Sequence, residues 1–301
     1  MTYRLFCLAR WLAVRTPLRL SYGAAVLCAN FAWLLMREQR LNATANVARV
    51  LGSAGSDRAG RVARRSFQNY AKYVVDLIRL PQLSPRQLAE RFEFDAWHHY
   101  DAALARGRGC ILVLMHFGNW DLGGPVLAHR GYAFNAIAET QEDGALNDAL
   151  IAARTKHGVK LIPMEKAATG ITRAMRRNET LAILIDRPLD EGGIEVDFFG
   201  APIRVPAGPA RIALRTGASV IAVSQVRLSP WSDRVRVIAD FDIDLPDSGD
   251  AEDDARLLTR RILEAHERVI RRHPDQWYMF RRMWPRDSRQ AGSATSSAPP
   301  A

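Results

Sequence analysis

The 301-residue sequence is poor in cysteine, and its cysteines are not arranged for a disulfide framework or a metal site. The three, Cys7, Cys28 and Cys110, all lie in apolar surroundings, and no two of them form a Cys-x-x-Cys pair. The His-Glu-x-x-His pattern of zinc enzymes is also missing. The sequence therefore argues against a secreted disulfide-rich protein and against a bound metal, and it favours reduced core cysteines in a cytosolic setting.

A second absence concerns covalent nucleophiles. No serine or cysteine lies in a Gly-x-Ser-x-Gly turn or a comparable elbow. A reaction that passes through a covalent acyl-enzyme is therefore disfavoured.

Acidic residues are scarce at the start of the chain. Residues 1–80 contain thirteen Lys or Arg and only three acids, so they carry the whole net charge of +10. Such a segment suits an anionic surface, either a membrane or a nucleic acid. No helix-turn-helix, zinc finger or RNA-binding signature is visible, so a soluble basic nucleic-acid binder is the weaker interpretation.

The N-terminal segment also lacks an apolar run long enough for a clear membrane span. The longest uncharged run, residues 20–36, is at the lower limit for crossing a bilayer, and it contains Asn30. The apolar core that a signal peptide needs is interrupted by Arg10, Arg15 and Arg19. We therefore predict a monotopic helix or a helical hairpin in the membrane interface, the alternative being an amphipathic helix packed on the main domain. The aromatic residues expected at that interface are Phe6, Trp11, Phe31 and Trp33.

Beyond about residue 85 the pattern alternates between apolar strands and amphipathic helices. We predict strands at 110–115, 133–138, 160–162, 181–186, 196–199, 219–226 and 235–241. Helices are predicted at 41–51, 58–80, 119–128, 143–157, 167–177, 208–216 and 253–272. This alternation indicates an α/β fold with a mixed central sheet flanked by helices. The predicted division is an N-terminal helical membrane-associating segment at 1–80, an α/β domain at 81–285 and a disordered tail at 286–301.

One stretch combines a buried strand with reactive side chains. The apolar run 110–115 leads directly into His116, and Asp121 follows five positions later. On a continuous helix these two side chains would point about 140° apart. If the strand ends at His116 and a helix starts near Asn119 as N-cap, the turn that Gly118 permits brings imidazole and carboxylate together. The alternative is a capped helix with His116 merely solvated.

This arrangement predicts acyl-transfer chemistry. A carboxylate on one ring nitrogen of His116 would fix the tautomer and leave the other nitrogen free as a general base. Backbone N–H groups near Gly118 and Asn119 would stabilise the developing oxyanion.

Further polar residues follow other predicted strands. Glu139, Asp186 and Arg187 come just past strand ends, so they could converge with His116 at one edge of the sheet. Asp186 and Arg187 could bind a phosphate or a polar acceptor. Arg154, on a predicted helix, could hold a phosphate through its forked guanidinium, or it could be a solvated helix residue.

Three blocks of the sequence resemble a known family. The first is His116-Phe-Gly-Asn-Trp-Asp-Leu, an instance of the family's His-x-x-x-x-Asp block; the second covers 184–208, including Asp186-Arg-Pro; the third covers 273–285, including Pro-Asp-Gln-Trp. They resemble the bacterial lipid A lauroyl/myristoyl acyltransferases of the lysophospholipid acyltransferase superfamily. The first block is also similar to mycobacterial phosphatidylinositol mannoside acyltransferases.

The resemblance adds expectations that the residues alone do not give. It implies a glycerolipid-acyltransferase-like fold in which Glu195 supports His116, together with or instead of Asp121. It also implies that Glu139 and Arg154 line the site, with Glu139 favouring an acceptor other than lipid A. The third block is expected to be structural, with Trp277 and Trp284 packing the end of a helix.

The function that these observations predict is O-acyl transfer at a membrane. A fatty acyl chain would move from acyl-CoA or acyl carrier protein to a hydroxyl of a glycolipid or lysophospholipid, with no cofactor, at the cytoplasmic face of the bacterial inner membrane. The enzyme would be peripheral or monotopic there. The alternative is a non-catalytic membrane-binding α/β protein of the same fold.

Overall fold

The computed structural model describes residues 2–52, 57–138, 144–241 and 243–284. The helices are α1 Thr2–Arg15, α2 Leu18–Leu35, α3 Arg37–Val50, α4 Asp57–Arg79, α5 Pro85–Glu90, α6 Trp97–Ala105, α7 Gly123–His129, α8 Gly144–Thr155, α9 Ala167–Arg176, α10 Gly208–Thr216 and α11 Ala251–Arg272. The strands are β1 Phe92–Glu93, β2 Cys110–Leu114, β3 Phe134–Ala138, β4 Lys160–Pro163, β5 Thr180–Leu184, β6 Ile194–Phe198, β7 Ala201–Val205, β8 Ser219–Arg227 and β9 Val235–Asp240. The predicted tail, 286–301, lies outside the described residues.

The central sheet has seven strands in the order β1-β9-β8-β2-β5-β3-β4. All neighbouring pairs are parallel except β8 and β9, which are antiparallel. Strands β6 and β7 form a separate antiparallel hairpin. The predicted mixed α/β fold is confirmed. Because β2 lies between two parallel partners, the carboxyl ends of β2, β5 and β8 meet at one edge of the sheet.

Strand β2 is buried on both faces, as its unbroken apolar sequence predicts. Its side chains alternate between two hydrophobic clusters. Ile111 and Val113 join the cluster under α10 and α11, whereas Leu112 and Leu114 join the cluster beside α6 and α7. The strand that carries His116 at its end is therefore fixed from both sides.

The N-terminal helices pack on the domain through α4, a 23-residue helix with one continuous buried face. This helix binds the segment after α11, where Ser66 Oγ donates to the carbonyl of Trp277 at 2.7 Å. On α3, Asn46 donates to the carbonyls of Met279 and Arg281 at 3.0 and 2.7 Å. The predicted boundary near residue 80 stays a prediction.

Helices α1 and α2 form consecutive segments separated at Pro17. Helix α2 is long and apolar enough to cross a membrane by length and composition, and only 17% of its apolar window is buried. Tyr22 and Ala29 face α4, while the opposite side exposes large apolar side chains. Those exposed on α1 to α3 are Leu8, Trp11, Leu12, Leu20, Leu27, Phe31, Leu34, Leu35 and Leu41.

Candidate active site

His116 lies two residues beyond the end of β2, and Asp186 lies two residues beyond the end of the adjacent strand β5. The parallel register pairs Leu114 with Leu184, so the two reactive residues leave the sheet side by side. The Nδ1 atom of His116 is 2.8 Å from Oδ1 of Asp186. The carboxylate that contacts the imidazole is therefore Asp186, for which the sequence predicts a role in substrate binding.

The carboxylate of Asp186 is held by further donors. Its Oδ2 accepts the backbone N–H of His116 at 3.0 Å and the indole N–H of Trp277 at 3.0 Å. Asp186 is fully buried. Burial alone would raise the pKa of its carboxyl group, but His116 and these hydrogen bonds offset burial and lower that pKa below the usual value.

The electrostatics of His116 complement those of Asp186. Burial alone would lower the pKa of His116, and Arg187 acts in the same direction. The charge and hydrogen bond of Asp186 outweigh both, so the pKa of His116 is raised above its ordinary value. Because Asp186 occupies Nδ1, the other ring nitrogen, Nε2, is the one left for chemistry.

The predicted contact between Asp121 and His116 is wrong. Both carboxylate oxygens of Asp121 face Arg154, with Nε–Oδ1 at 2.9 Å and Nη2–Oδ2 at 3.3 Å. The hydroxyl of Tyr73 also donates to Oδ2 of Asp121, at 2.5 Å. The cause is the position of α8, which brings a guanidinium to the carboxylate. The carboxylate of Asp121 in turn raises the pKa of Arg154.

Glu195 does not join His116 either. It lies on β6, where alternation of the hairpin turns its side chain outward, and the side chain is 61% exposed. Its carboxylate is 3.3 Å from Nη2 of Arg204 on the paired strand β7. Glu195 therefore belongs to a charged hairpin at the surface and not to the site around His116.

The turn after His116 differs from the predicted capped helix. Helix α7 begins at Gly123, with Leu122 as its N-cap, so Asn119 caps nothing. The N–H groups of Gly118 and Asn119 already donate to the carbonyls of Gln276 at 2.9 Å and Gln225 at 3.3 Å. They are therefore not the oxyanion donors that the sequence suggested.

The predicted role of Gly118 in the turn is confirmed. Its φ is +59°, and a Cβ there would lie 1.7 Å from the carbonyl oxygen of Gln225. Only glycine therefore fits at this position, which locks the loop of residues 115–122 against β8.

A cavity of about 450 Å³ opens beside His116. Its polar wall is formed by Tyr70, Tyr73, His116, Asp121 and Arg154. Its apolar wall includes Leu114, Ile137, Val159, Leu161 and Leu184. A smaller crevice lined with aromatic side chains shares Leu114 and Trp120 with the cavity. The cavity thus presents both charged and apolar side chains to one ligand.

The structure says less about the other predicted site residues, Arg187 and Glu139. Arg187 is half-buried next to Asp186 and close enough to influence the pKa of His116. Glu139 lies outside the described residues. In the described part of the chain, no group of three or more His, Cys, Asp or Glu side chains comes together as metal ligands would.

Two site residues were missed by sequence reasoning. Trp277 was expected only to pack, yet its indole N–H binds Asp186. Tyr73 holds Asp121 and stacks on Trp120 with ring centroids 3.9 Å apart. The sequence held one indirect signal for a partner such as Trp277. Asp186 follows a buried apolar strand, where a buried carboxylate needs hydrogen-bond donors.

Comparison with known proteins shows the family of the chain. The sequence model of the bacterial lipid A biosynthesis acyltransferase family matches residues 4–286. The chain is 30% identical over 246 residues to the phosphatidylinositol mannoside acyltransferase of Mycobacterium tuberculosis, covering 79% of this chain and 75% of that one. It is 28% identical over 244 residues to the enzyme of that name from Mycolicibacterium smegmatis, covering 79% and 77%. The chain therefore belongs to the bacterial lipid A biosynthesis acyltransferase family and is an enzyme of the transferase class, a membrane-lipid acyltransferase.

Proposed function

We propose that the protein transfers a fatty acyl chain from an acyl thioester, either acyl-CoA or acyl carrier protein, to a hydroxyl of a glycolipid or lysophospholipid. The observation that carries the proposal is the His116–Asp186 pair, whose imidazole lines a cavity with both charged and apolar side chains. The pair supplies a base for the hydroxyl, and the apolar wall supplies a place for the chain. The mycobacterial relatives favour a phosphatidylinositol mannoside-like acceptor.

In the proposed mechanism His116 acts as the general base. Asp186 holds Nδ1–H, so Nε2 takes the proton from the acceptor hydroxyl as its oxygen attacks the thioester carbonyl. The tetrahedral intermediate then collapses with cleavage of the C–S bond, and the imidazolium returns the proton to the leaving thiolate. The negative charge of buried Asp186 stabilises the imidazolium in between. No covalent acyl-enzyme and no cofactor are needed.

The cations at the cavity are proposed to bind polar substrate groups. Arg154 lines the cavity and pairs with the carboxylate of Asp121, which also accepts the hydroxyl of Tyr73. A guanidinium held in this way can bind a phosphate with its remaining N–H groups. Arg187, beside Asp186, is proposed to contact the same or the second substrate. Asp121 therefore acts by positioning Arg154.

We propose that the enzyme works at the cytoplasmic face of the inner membrane, held there by α1 and α2. The exposed apolar side chains of these helices lie beside arginines such as Arg15 and Arg19. Apolar burial and attraction to anionic headgroups would act together. The enzyme would then be peripheral or monotopic.

Replacing two exposed apolar residues of α2 should release the protein from membranes. Leu27 and Phe31 are 62% and 65% exposed, so Leu27→Gln with Phe31→Gln should leave the core intact. Losing two inserted side chains should weaken binding to anionic vesicles by about 10²-fold or more. Sedimentation with phosphatidylglycerol vesicles measures this effect. Leu257→Gln, at a 40% exposed site on α11, is the control; equal binding by both proteins would contradict the proposal.

The pH dependence of the reaction should report the His116–Asp186 pair. The base must be neutral, so kcat/KM should rise with pH through the raised pKa of His116. In Asp186→Asn the raising charge is gone and burial lowers the pKa of His116. The acid limb of the kcat/KM profile should then shift to lower pH by about one to three pH units. A limb that stays in place, or moves up, would remove Asp186 from the mechanism.

The reaction itself is tested with palmitoyl-CoA. Thiol release is followed with and without a panel of acceptor lipids, and lipid mass spectrometry identifies the acylated product. Release that depends on a glycolipid or lysophospholipid, with the matching mass gain, is the expected result. Vesicle binding without thiol release from any acyl thioester, acyl carrier protein included, would favour the non-catalytic alternative.

A further inference from the structure

A buried polar cluster connects α2 to the core of the protein. The hydroxyl of Tyr22 on α2 donates to Oδ1 of Asp76 on α4 at 2.5 Å. Arg227, at the end of β8, donates to the hydroxyl of Tyr22 at 2.7 Å and to Oδ2 of Asp76 at 2.5 Å. All three residues are less than a tenth exposed. A buried ion pair of this kind gives little net stability, because the cost of desolvating both charges offsets their attraction.

The same carboxylate reaches the loop that carries His116. The side-chain amide of Asn119 donates to Oδ2 of Asp76 at 3.3 Å, and Asn119 is itself buried. One turn earlier on the same face of α4, Tyr73 binds Asp121. Helix α4 therefore holds this loop at two points, and Asp76 is the point that also contacts α2.

Helix α2 has one side buried in the protein and another side exposed. Tyr22 is fully buried on one side of the helix, while Leu27 and Phe31 are exposed on another. If α2 rests on a membrane, its depth and orientation are set by those exposed side chains. A shift of α2 would pull on Tyr22 and, through Asp76, on Asn119.

We infer that Asp76 is a positioning residue, which transmits the docked position of α2 through Tyr22 to Asn119 and thereby holds His116 in its productive place. This inference rests on the proposed function. It makes full activity depend on membrane contact, because α2 is ordered by the membrane on one side and by Asp76 on the other. The acceptor lipid would then meet only enzyme molecules in which His116 is already in its productive place.

A double-mutant cycle tests the link. Tyr22→Phe keeps the ring and the Asp76–Arg227 pair but removes the hydroxyl, and Asn119→Ala removes the contact on the loop side. Each should lower kcat for CoA release from palmitoyl-CoA, measured with phosphatidylglycerol vesicles that carry a glycolipid or lysophospholipid acceptor, by about threefold to tenfold. KM and vesicle binding should stay the same. The double variant should lose no more than the worse single variant; multiplied losses would overturn the inference.

Tyr132→Phe is the matched control. It also removes a tyrosine hydroxyl that donates to an aspartate, Asp101 on α6, at 2.5 Å, but this pair is exposed and lies outside α2, α4 and the loop of residues 115–122. Its kcat should equal that of the wild type. An equal loss of kcat in Tyr132→Phe and Tyr22→Phe would show a general effect of lost hydroxyls and would also overturn the inference.

A readout without turnover separates this inference from the proposed function. The NMR titration of the His116 ring, assigned by its loss in His116→Ala, should have a lower midpoint in Tyr22→Phe, because a loosened loop weakens the pairing with Asp186. The midpoint should not move in Tyr132→Phe. If the wild type releases no CoA, the proposed function fails while this midpoint still decides the link. If Tyr22→Phe does not fold, the titration of Asn119→Ala alone decides it, and an unmoved midpoint refutes it.

Discussion

His116→Ala should lower kcat by about 10²- to 10⁴-fold, the usual contribution of a positioned general base. The protein should remain folded, because Oδ2 of Asp186 keeps the backbone N–H of residue 116 and the indole of Trp277. The side chain of His116 is 35% exposed, so its removal creates no closed cavity. Thiol release from palmitoyl-CoA in the presence of a lipid acceptor measures the loss.

Two further variants make this result specific. His116→Gln can still donate to Asp186 but has no basic nitrogen, so it should be as inactive as His116→Ala. His98→Ala removes an exposed imidazole on α6 and should keep wild-type activity. A folded His116→Ala with full transferase activity would end the mechanism proposed above.

Ile111→Ala should destabilise the protein by about 2–5 kcal/mol, the range for truncating a large buried side chain. Ile111 is fully buried on β2 and packs in the cluster under α10 and α11, so its truncation leaves a cavity there. Strand β2 carries His116 at its end, so activity should be lost together with the fold. Urea denaturation followed by circular dichroism gives the change in the free energy of unfolding.

The matched comparison is Leu257→Ala on α11. Leu257 is 40% exposed, so the same kind of truncation should change the free energy of unfolding by less than about 1 kcal/mol. Equal losses for the two variants would mean that β2 is not the centre of the core. Leu114 is a poorer probe than Ile111, because it already borders the cavity beside His116.

The sequence predicts most of the helices and strands well, because their formation depends mainly on residues that are close together in the sequence. Strand β2 is an unbroken apolar run, and Gly208–Thr216 is predicted and observed with the same bounds. The start of α7 is missed by four residues, because Asn119 turns inward to Asp76 instead of capping the helix. A tertiary contact thus outweighs a local capping preference.

The contact between His116 and Asp186 could not be predicted in the same way. His116 and Asp186 are far apart in sequence, and their contact depends on which strands are neighbours and in what register. Spacing along the chain pointed to Asp121, which is nearer in sequence but is drawn to Arg154 by α8. The residues of the site were largely recognisable, but their partners were not.

The indole of Trp277 joins the site late during synthesis, because Trp277 follows both His116 and Asp186 in the sequence. A growing chain exposes His116 and Asp186 well before the segment after α11 leaves the ribosome. Until then Asp186 lacks the indole donor, and Gly118 lacks the carbonyl of Gln276 to which it binds. We therefore expect a partly synthesised chain to have no transferase activity. The capacity for reaction should arise only when nearly the whole described chain has been translated and closed over its own loop.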